Sequence, residues 1–143
     1  MEPEKKKILI LMSEAGLGHR SASNALRDTI QLQYGDSCIV EVNNPLDHPK
    51  TPKALQKSQT DYDEIIKNLP DLYKVGYQIS DGALPVTFIE GGLIVALYLS
   101  LRDILLTHKP DLVLITYPLY QAPLEAVMAL SNQPRVPLFT TIT

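Results

Sequence analysis

ILILMSEAGLGHRSASNALR, residues 8–27, joins an apolar run to a helical pattern through a polar bend that carries two glycines. Five consecutive apolar residues, Ile8 to Met12, read as a parallel strand covered on both faces, the central strand of a sheet. Beyond the bend, Ala22, Ala25, Leu26, Thr29 and Ile30 recur at helical spacing from Ser21, and Gly35 is a C-terminal stop signal. The bend therefore lies at the carboxyl end of a strand and the amino end of a helix. Unpaired backbone N–H groups and the helix dipole favour an anion or a developing negative charge there. His19 stands at that junction.

The rest of the chain reads as scaffold for this turn. Residues 38–42 are short and β-branched, giving a second strand and completing a β-α-β unit whose right-handed crossover makes the two strands parallel. Residues 43–52 hold three prolines together with Asn44, Asp47 and His48, a loop on the binding edge of the sheet. Tyr62, Ile65, Ile66 and Leu69 suggest a short helix closed by Pro70, and residues 72–79 another piece ending at Asp81-Gly82. Residues 84–108 form the longest apolar segment, with Phe88, Leu93, Leu97, Leu101, Ile104 and Leu105 on one side and Lys109-Pro110 as its end. A third buried strand is expected over 112–116, a loop over 117–123, a short helix over 124–130 and a last strand over 136–143. The fold class is thus α/β, a Rossmann-like three-layer domain with a mostly parallel sheet.

With 143 residues and 45% hydrophobic composition, the chain fills one domain and one core. Thirteen basic against sixteen acidic residues, a net charge of -3, advertise neither nucleic acid nor a polybasic membrane tether. The single cysteine, Cys38, excludes an internal disulfide, and no Cys/His group has zinc spacing, so neither a metal nor a cofactor is expected. The five apolar residues after MEPEKKK are too few for a signal-peptide core, which points to the cytoplasm. Within the long apolar segment, residues 91–101, GGLIVALYLSL, are too short to span a bilayer. They read either as the core helix of the domain or as an interfacial helix that touches lipid.

Three readings of the turn compete. A P-loop is excluded because no Lys-Ser or Lys-Thr follows a second glycine at the required spacing. A dinucleotide fingerprint would use Gly16, Gly18 and Ser21, with Glu41 as the ribose acceptor, but Ser21 replaces the close-packing glycine and Glu41 sits inside the strand run. The third reading makes His19 the point of the motif: the helix dipole disfavours its charged form and leaves an imidazole able to accept a proton near pH 7. Gly16 and Gly18 would then leave room for a substrate to approach. The plain alternative is a histidine that caps the helix and glycines that shape the bend.

Residues 11–26, LMSEAGLGHRSASNAL, resemble the first motif of the monogalactosyldiacylglycerol synthases and the related bacterial processive diacylglycerol glycosyltransferases, S-D-T/A-G-G-G-H-R-x-A-A. Ser13, Gly16, Gly18, His19 and Arg20 match; Glu14 stands for the usual aspartate and Leu17 for a glycine. Leu-Tyr-Lys-Val-Gly-Tyr at 72–77, the K-P-D strand from Lys109, and Tyr117-Pro118-Leu119-Tyr120-Gln121, similar to a His-Pro-x-x-Gln turn, agree in order. The phenylalanine-containing strand at 139–143 follows them, and it normally runs on into Thr-Asp.

The resemblance implies a GT-B glycosyltransferase, with this chain as its N-terminal acceptor domain and the UDP-sugar held by a C-terminal domain beyond Thr143. It implies His19 as general base on a diacylglycerol hydroxyl, a galactose or glucose donor, no metal, and a peripheral site on a membrane. Ser13, Glu14, Gly16, Leu17, Gly18, Arg20, Pro118 and Gln121 would line the acceptor site. Residues 44–52 and 81–85 are candidates for a lipid entrance. A GT-B enzyme with a polyprenyl or other acceptor, and a stand-alone nucleotide- or anion-binding module, are the rival functions.

Overall fold

A computed structural model describes residues 3–68 and 86–142. Four parallel strands form one sheet in the order β2-β1-β3-β4, with β1 Lys6–Leu11, β2 Cys38–Asn43, β3 Leu112–Ile115 and β4 Leu138–Thr140. The helices are α1 Leu17–Tyr34, α2 Lys53–Asn68, α3 Val86–His108 and α4 Gln121–Leu130. An α/β Rossmann-like domain with β1 in a central position is the architecture expected from its unbroken apolar run. Leu9, Ile10 and Leu11 are fully covered.

The core gathers Leu9, Leu11, Val113 and Ile115 from the sheet, Leu97, Leu101, Ile104 and Leu105 from α3, and Tyr120, Leu124 and Val127 around α4. The K-P-D punctuation sets how β3 starts. Lys109 takes a positive φ of 46° and ends α3, and Asp111 brackets Lys7, its N–H donating to the Lys7 carbonyl (2.8 Å) and its Oδ2 accepting from the Lys7 N–H (2.8 Å). This clamp starts β3 beside β1, so the two strands end together on the side where the glycine bend lies.

Several boundaries differ from the sequence pattern, each for a physical reason. Helix α1 begins at Leu17 rather than Ser21, because the break is made by Gly16 alone (φ 82°, ψ 157°), in a region open essentially only to glycine. Its inward stripe runs through Ser23, Leu26 and Ile30, while Ala25 and Thr29 face solvent. The loop predicted over 117–123 is a 3₁₀ turn, Pro118–Tyr120, running straight into α4; Pro123 falls in the first turn of that helix, where its missing N–H costs nothing. Strand β4 is only three residues long, since Pro134 and Pro137 cannot donate to a ladder. Helix α2 starts at Lys53, well before Tyr62. The piece expected over 72–79, the 72–77 motif and the proposed entrance at 81–85 lie outside the described residues.

The 91–101 stretch belongs to a helix of 23 residues. Its window Gly91–His108 is long and apolar enough to cross a membrane by length and composition, yet only its Leu97, Leu101, Ile104 and Leu105 side enters the core. Val95 is 80% exposed and Leu99 53%. With Lys50, Pro52, Gly91 and Gly92 they line an open groove of about 990 Å³. One face of this helix is therefore core, as the first reading expected, and the opposite face is an exposed apolar surface.

Candidate functional site

The site is built where β1 and β3 run out. Beyond the strands the ladder continues for one more rung on each side, Met12 N–H to the Asn43 carbonyl (3.0 Å) and Thr116 N–H to the Leu11 carbonyl (3.0 Å). The chain then leaves the sheet at Ser13, which is fully buried and whose Oγ accepts the Ala15 N–H (3.0 Å), a local turn that spares the backbone an unpaired donor. Gly16 supplies the break and α1 begins at once, so His19 lies in the first turn of the helix.

Here the histidine meets β3. His19 Nδ1 is 2.7 Å from the Thr116 carbonyl oxygen. A carbonyl can only accept, so Nδ1 carries the hydrogen and, in the neutral ring, Nε2 is the basic atom. The helix turn below is fixed to the same strand. Ser23 and Thr116, both fully buried, meet through their hydroxyls at 2.8 Å. Ser23 Oγ also donates to the His19 carbonyl (2.9 Å), and Thr116 Oγ1 lies 3.2 Å from that oxygen. The Tyr117 ring and the imidazole pack T-shaped, centroids 5.0 Å apart at 73°, and Tyr120 packs against Tyr117 in the same way at 5.0 Å and 71°. Backbone, hydroxyl and aromatic contacts therefore hold His19 from three directions.

Of the other residues singled out by sequence, Glu14 and Arg20 form an exposed pair across the bend (3.4 Å), which contributes little to stability in water. Leu17 is the first residue of α1 and Gly18 the second. The positive φ falls at Gly16, so leucine in place of the family's glycine at 17 meets an ordinary helical backbone. Pro118 opens the 3₁₀ turn. Gln121 starts α4 and is tied away from the bend, its Oε1 accepting from Thr140 Oγ1 (3.1 Å) and its Nε2 donating to Glu125 (3.3 Å). It shares the carboxyl edge of the sheet with His19 but is held by β4, not by the turn.

The ribose role considered for Glu41 is overturned by the register. Glu41 sits opposite Leu9 in the middle of β2, exposed, and pairs with His108 at the end of α3, whereas a ribose acceptor must stand at the carboxyl end of the strand. His48 accepts the Lys50 N–H (3.1 Å). Among the described residues no group of three or more His, Cys, Asp or Glu side chains is placed to hold a metal.

Sequence reasoning missed Ser23, Thr116 and Gln59, and it placed Asn44 and Tyr120 in a loop and a motif without the bonds they make. Tyr120 is completely buried and its hydroxyl donates to the Met12 carbonyl (3.0 Å); burial, then the neighbouring Tyr117, push its ionisation far above the ordinary tyrosine value. Serine inside an apolar stripe and threonine closing an apolar strand were the available signals for the Ser23–Thr116 pair. Gln59 offered none.

The family model described as monogalactosyldiacylglycerol (MGDG) synthase matches residues 19–143. A probable monogalactosyldiacylglycerol synthase 2, chloroplastic, of Oryza sativa subsp. indica is 32% identical over 143 residues, covering 96% of this chain and 29% of that protein. The chloroplastic monogalactosyldiacylglycerol synthase of Spinacia oleracea is 29% identical over 125 residues, covering 85% of this chain and 23% of its own. Monogalactosyldiacylglycerol synthase 1, chloroplastic, of Arabidopsis thaliana is 28% identical over 143 residues, with 96% and 26% covered. The chain spans under a third of the length of these relatives. No solved structure matches it significantly.

Proposed function

Because this chain belongs to the monogalactosyldiacylglycerol synthase family, we propose that it forms the acceptor-side domain of a hexosyltransferase that moves galactose or glucose from a UDP-sugar to diacylglycerol. Residues 1–143 make one Rossmann-like half, and a second half, in the length that the relatives have beyond it, holds the donor. The 143-residue chain alone is then inactive in transfer.

The observation that supports the role of His19 is its Nδ1 bond to the Thr116 carbonyl, which puts the ring hydrogen on Nδ1 and the basic lone pair of the neutral ring on Nε2. Diacylglycerol presents its free hydroxyl to Nε2. As the hydroxyl oxygen bonds to the anomeric carbon of the sugar, the bond from that carbon to the diphosphate breaks, UDP leaves with the electron pair, and the hydroxyl proton passes to Nε2. The bond to Thr116 keeps the ring in place while it becomes a cation. Backbone at Gly16 and Gly18 lets the glycerol approach the bend, and Ser13, Glu14, Leu17, Arg20 and Pro118 border it, while Gln121 stands apart on the same edge of the sheet, held by Thr140 and Glu125.

A lipid acceptor has to be drawn from a membrane, and the groove beside Val95 and Leu99, with Lys50 at its rim, supports peripheral attachment through that face of α3. The test of the base assignment uses the full-length enzyme. His19→Ala, with the fold confirmed, lowers kcat for transfer to diacylglycerol roughly a hundredfold to ten-thousandfold. Transfer within a few-fold of the unaltered enzyme overturns the assignment.

A further inference from the structure

Gln59 lies in the polar KSQTD stretch of the helix KALQKSQTDYDEIIKN, yet it is only 7% exposed. A buried carboxamide is costly unless each of its polar atoms finds a partner. Both do. Its Oε1 accepts from the Glu14 N–H (2.9 Å) and from Asn44 Nδ2 (2.7 Å), and its Nε2 donates to Asp47 Oδ1 (2.9 Å). The ring closes because Asn44 Nδ2 also reaches Asp47 Oδ2 (3.0 Å). Asn44 Oδ1 in turn caps the Leu46 N–H (3.2 Å), and the Tyr120 hydroxyl that holds the Met12 carbonyl lies 3.4 Å from the same oxygen. Three segments distant in sequence, the loop after β2, the middle of α2 and the start of the glycine bend, thus converge on one side chain.

The contact with Glu14 matters because of where it falls. Glu14 is the second residue past the last ladder bond of β1 and two residues before the Gly16 break. A side chain of α2, not the sheet, fixes the backbone there. We propose that Gln59 is a positioning residue of the acceptor turn: by pinning the Glu14 amide it sets the path from β1 into α1, and with it the placement of His19 against Thr116. The proposal rests on the reading of this bend as the acceptor site. It makes the seating of α2 a condition for a competent turn, without any contact between α2 and the reacting atoms.

The chemistry of the ring supplies a test that separates positioning from packing. Gln59→Leu keeps bulk and removes every bond. Gln59→Glu still accepts from Glu14 and Asn44 but sets a carboxylate against Asp47. Adding Asp47→Asn to Gln59→Glu returns a donor to that contact and restores the whole pattern. Two readouts are needed, amide exchange by NMR in the 143-residue chain and steady-state kinetics in the full-length enzyme. In Gln59→Leu, exchange at the Glu14 amide accelerates about tenfold or more while the β1 amides keep their protection. The kcat/KM for diacylglycerol falls roughly tenfold to a hundredfold with KM for the UDP-sugar unchanged. The Gln59→Glu, Asp47→Asn pair recovers most of both losses relative to Gln59→Glu alone.

Unchanged Glu14 exchange in a folded variant overturns the proposal. So does a parallel loss of donor and acceptor parameters in step with the folded fraction, or a double exchange no better than the single one. If Gln59→Leu does not fold, the comparison of Gln59→Glu with its Asp47→Asn partner decides. An unaltered enzyme that transfers no hexose removes the glycolipid reading, while the exchange at Glu14 still decides whether Gln59 shapes the bend.

Discussion

Replacing Ser23 by alanine and Thr116 by valine, singly and together, tests the strut that sets α1 against β3. Both side chains are fully buried and their hydroxyls meet at 2.8 Å. Each single variant leaves the other hydroxyl with a carbonyl partner: Ser23 Oγ keeps the His19 oxygen at 2.9 Å, and Thr116 Oγ1 keeps the same oxygen at 3.2 Å and the Leu11 oxygen at 3.4 Å. Neither single change strands a buried group, so each costs about 1 kcal/mol, the net value of one hydrogen bond, rather than the larger desolvation penalty. The mutual bond is lost in both singles but only once in the double. The double variant is therefore about 1 kcal/mol less destabilised than the sum of the singles. Equilibrium urea unfolding followed by circular dichroism, with m-values checked for constancy, measures all three. Additivity within about 0.3 kcal/mol refutes the direct bond. Because the Thr116 carbonyl survives in Thr116→Val, the pH profile of transfer in the full-length enzyme keeps its shape even as stability falls.

Four further outcomes follow from the same geometry. Gly16→Ala forces a Cβ into φ 82°, ψ 157° and destabilises the chain by about 1–3 kcal/mol in thermal or urea unfolding; a loss under about 0.5 kcal/mol contradicts that backbone geometry. Tyr120→Phe leaves the Met12 carbonyl without its hydroxyl donor and lowers stability by about 1–3 kcal/mol at neutral pH. Since the folded Tyr120 ionises above the ordinary value of 10.0, its contribution is complete below pH 10 and fades as pH rises beyond it, so the alkaline slope of stability is shallower in Tyr120→Phe. Asp103 has its carboxyl held below its ordinary 3.8, chiefly by the hydrogen bond from Lys50; that contribution is present above pH 3.8 and is lost as pH falls below it, and Lys50→Ala removes this part of the acid dependence. Val95→Asp on the exposed face of α3 reduces sedimentation with vesicles of anionic phospholipid and diacylglycerol while leaving the free energy of unfolding within about 0.5 kcal/mol of the unaltered chain; equal vesicle binding rejects that face as the membrane contact.

The sheet was legible because its strands are short apolar or β-branched runs between turn signals, and because β1 is buried on both faces over an unbroken apolar run. His19 was legible because a glycine-flanked histidine at a strand-to-helix bend is a local pattern. The helix start was not, since Leu17 and Gly18 look like loop residues until Gly16 is known to carry the whole break alone. Helix α3 defeated a single reading for a different cause: an apolar circumference does not say which arc meets the core. Gln59 was beyond reach because its importance lies in three partners 12 to 45 positions away, and no local window contains Glu14, Asn44 and Asp47 together with it.

The turn is better described by what holds it than by its glycines. Its entry is fixed by α2 through Gln59, its exit by β3 through the Thr116 carbonyl and the Ser23 hydroxyl, and the tyrosines of the 3₁₀ turn close the remaining side. The base role proposed for His19 calls for such constraint, because an unheld ring reorients as its charge changes. Tyr117, in the place of the histidine of the similar family turn, is compatible with that proposal: it packs T-shaped on the His19 imidazole and puts no second imidazole beside it.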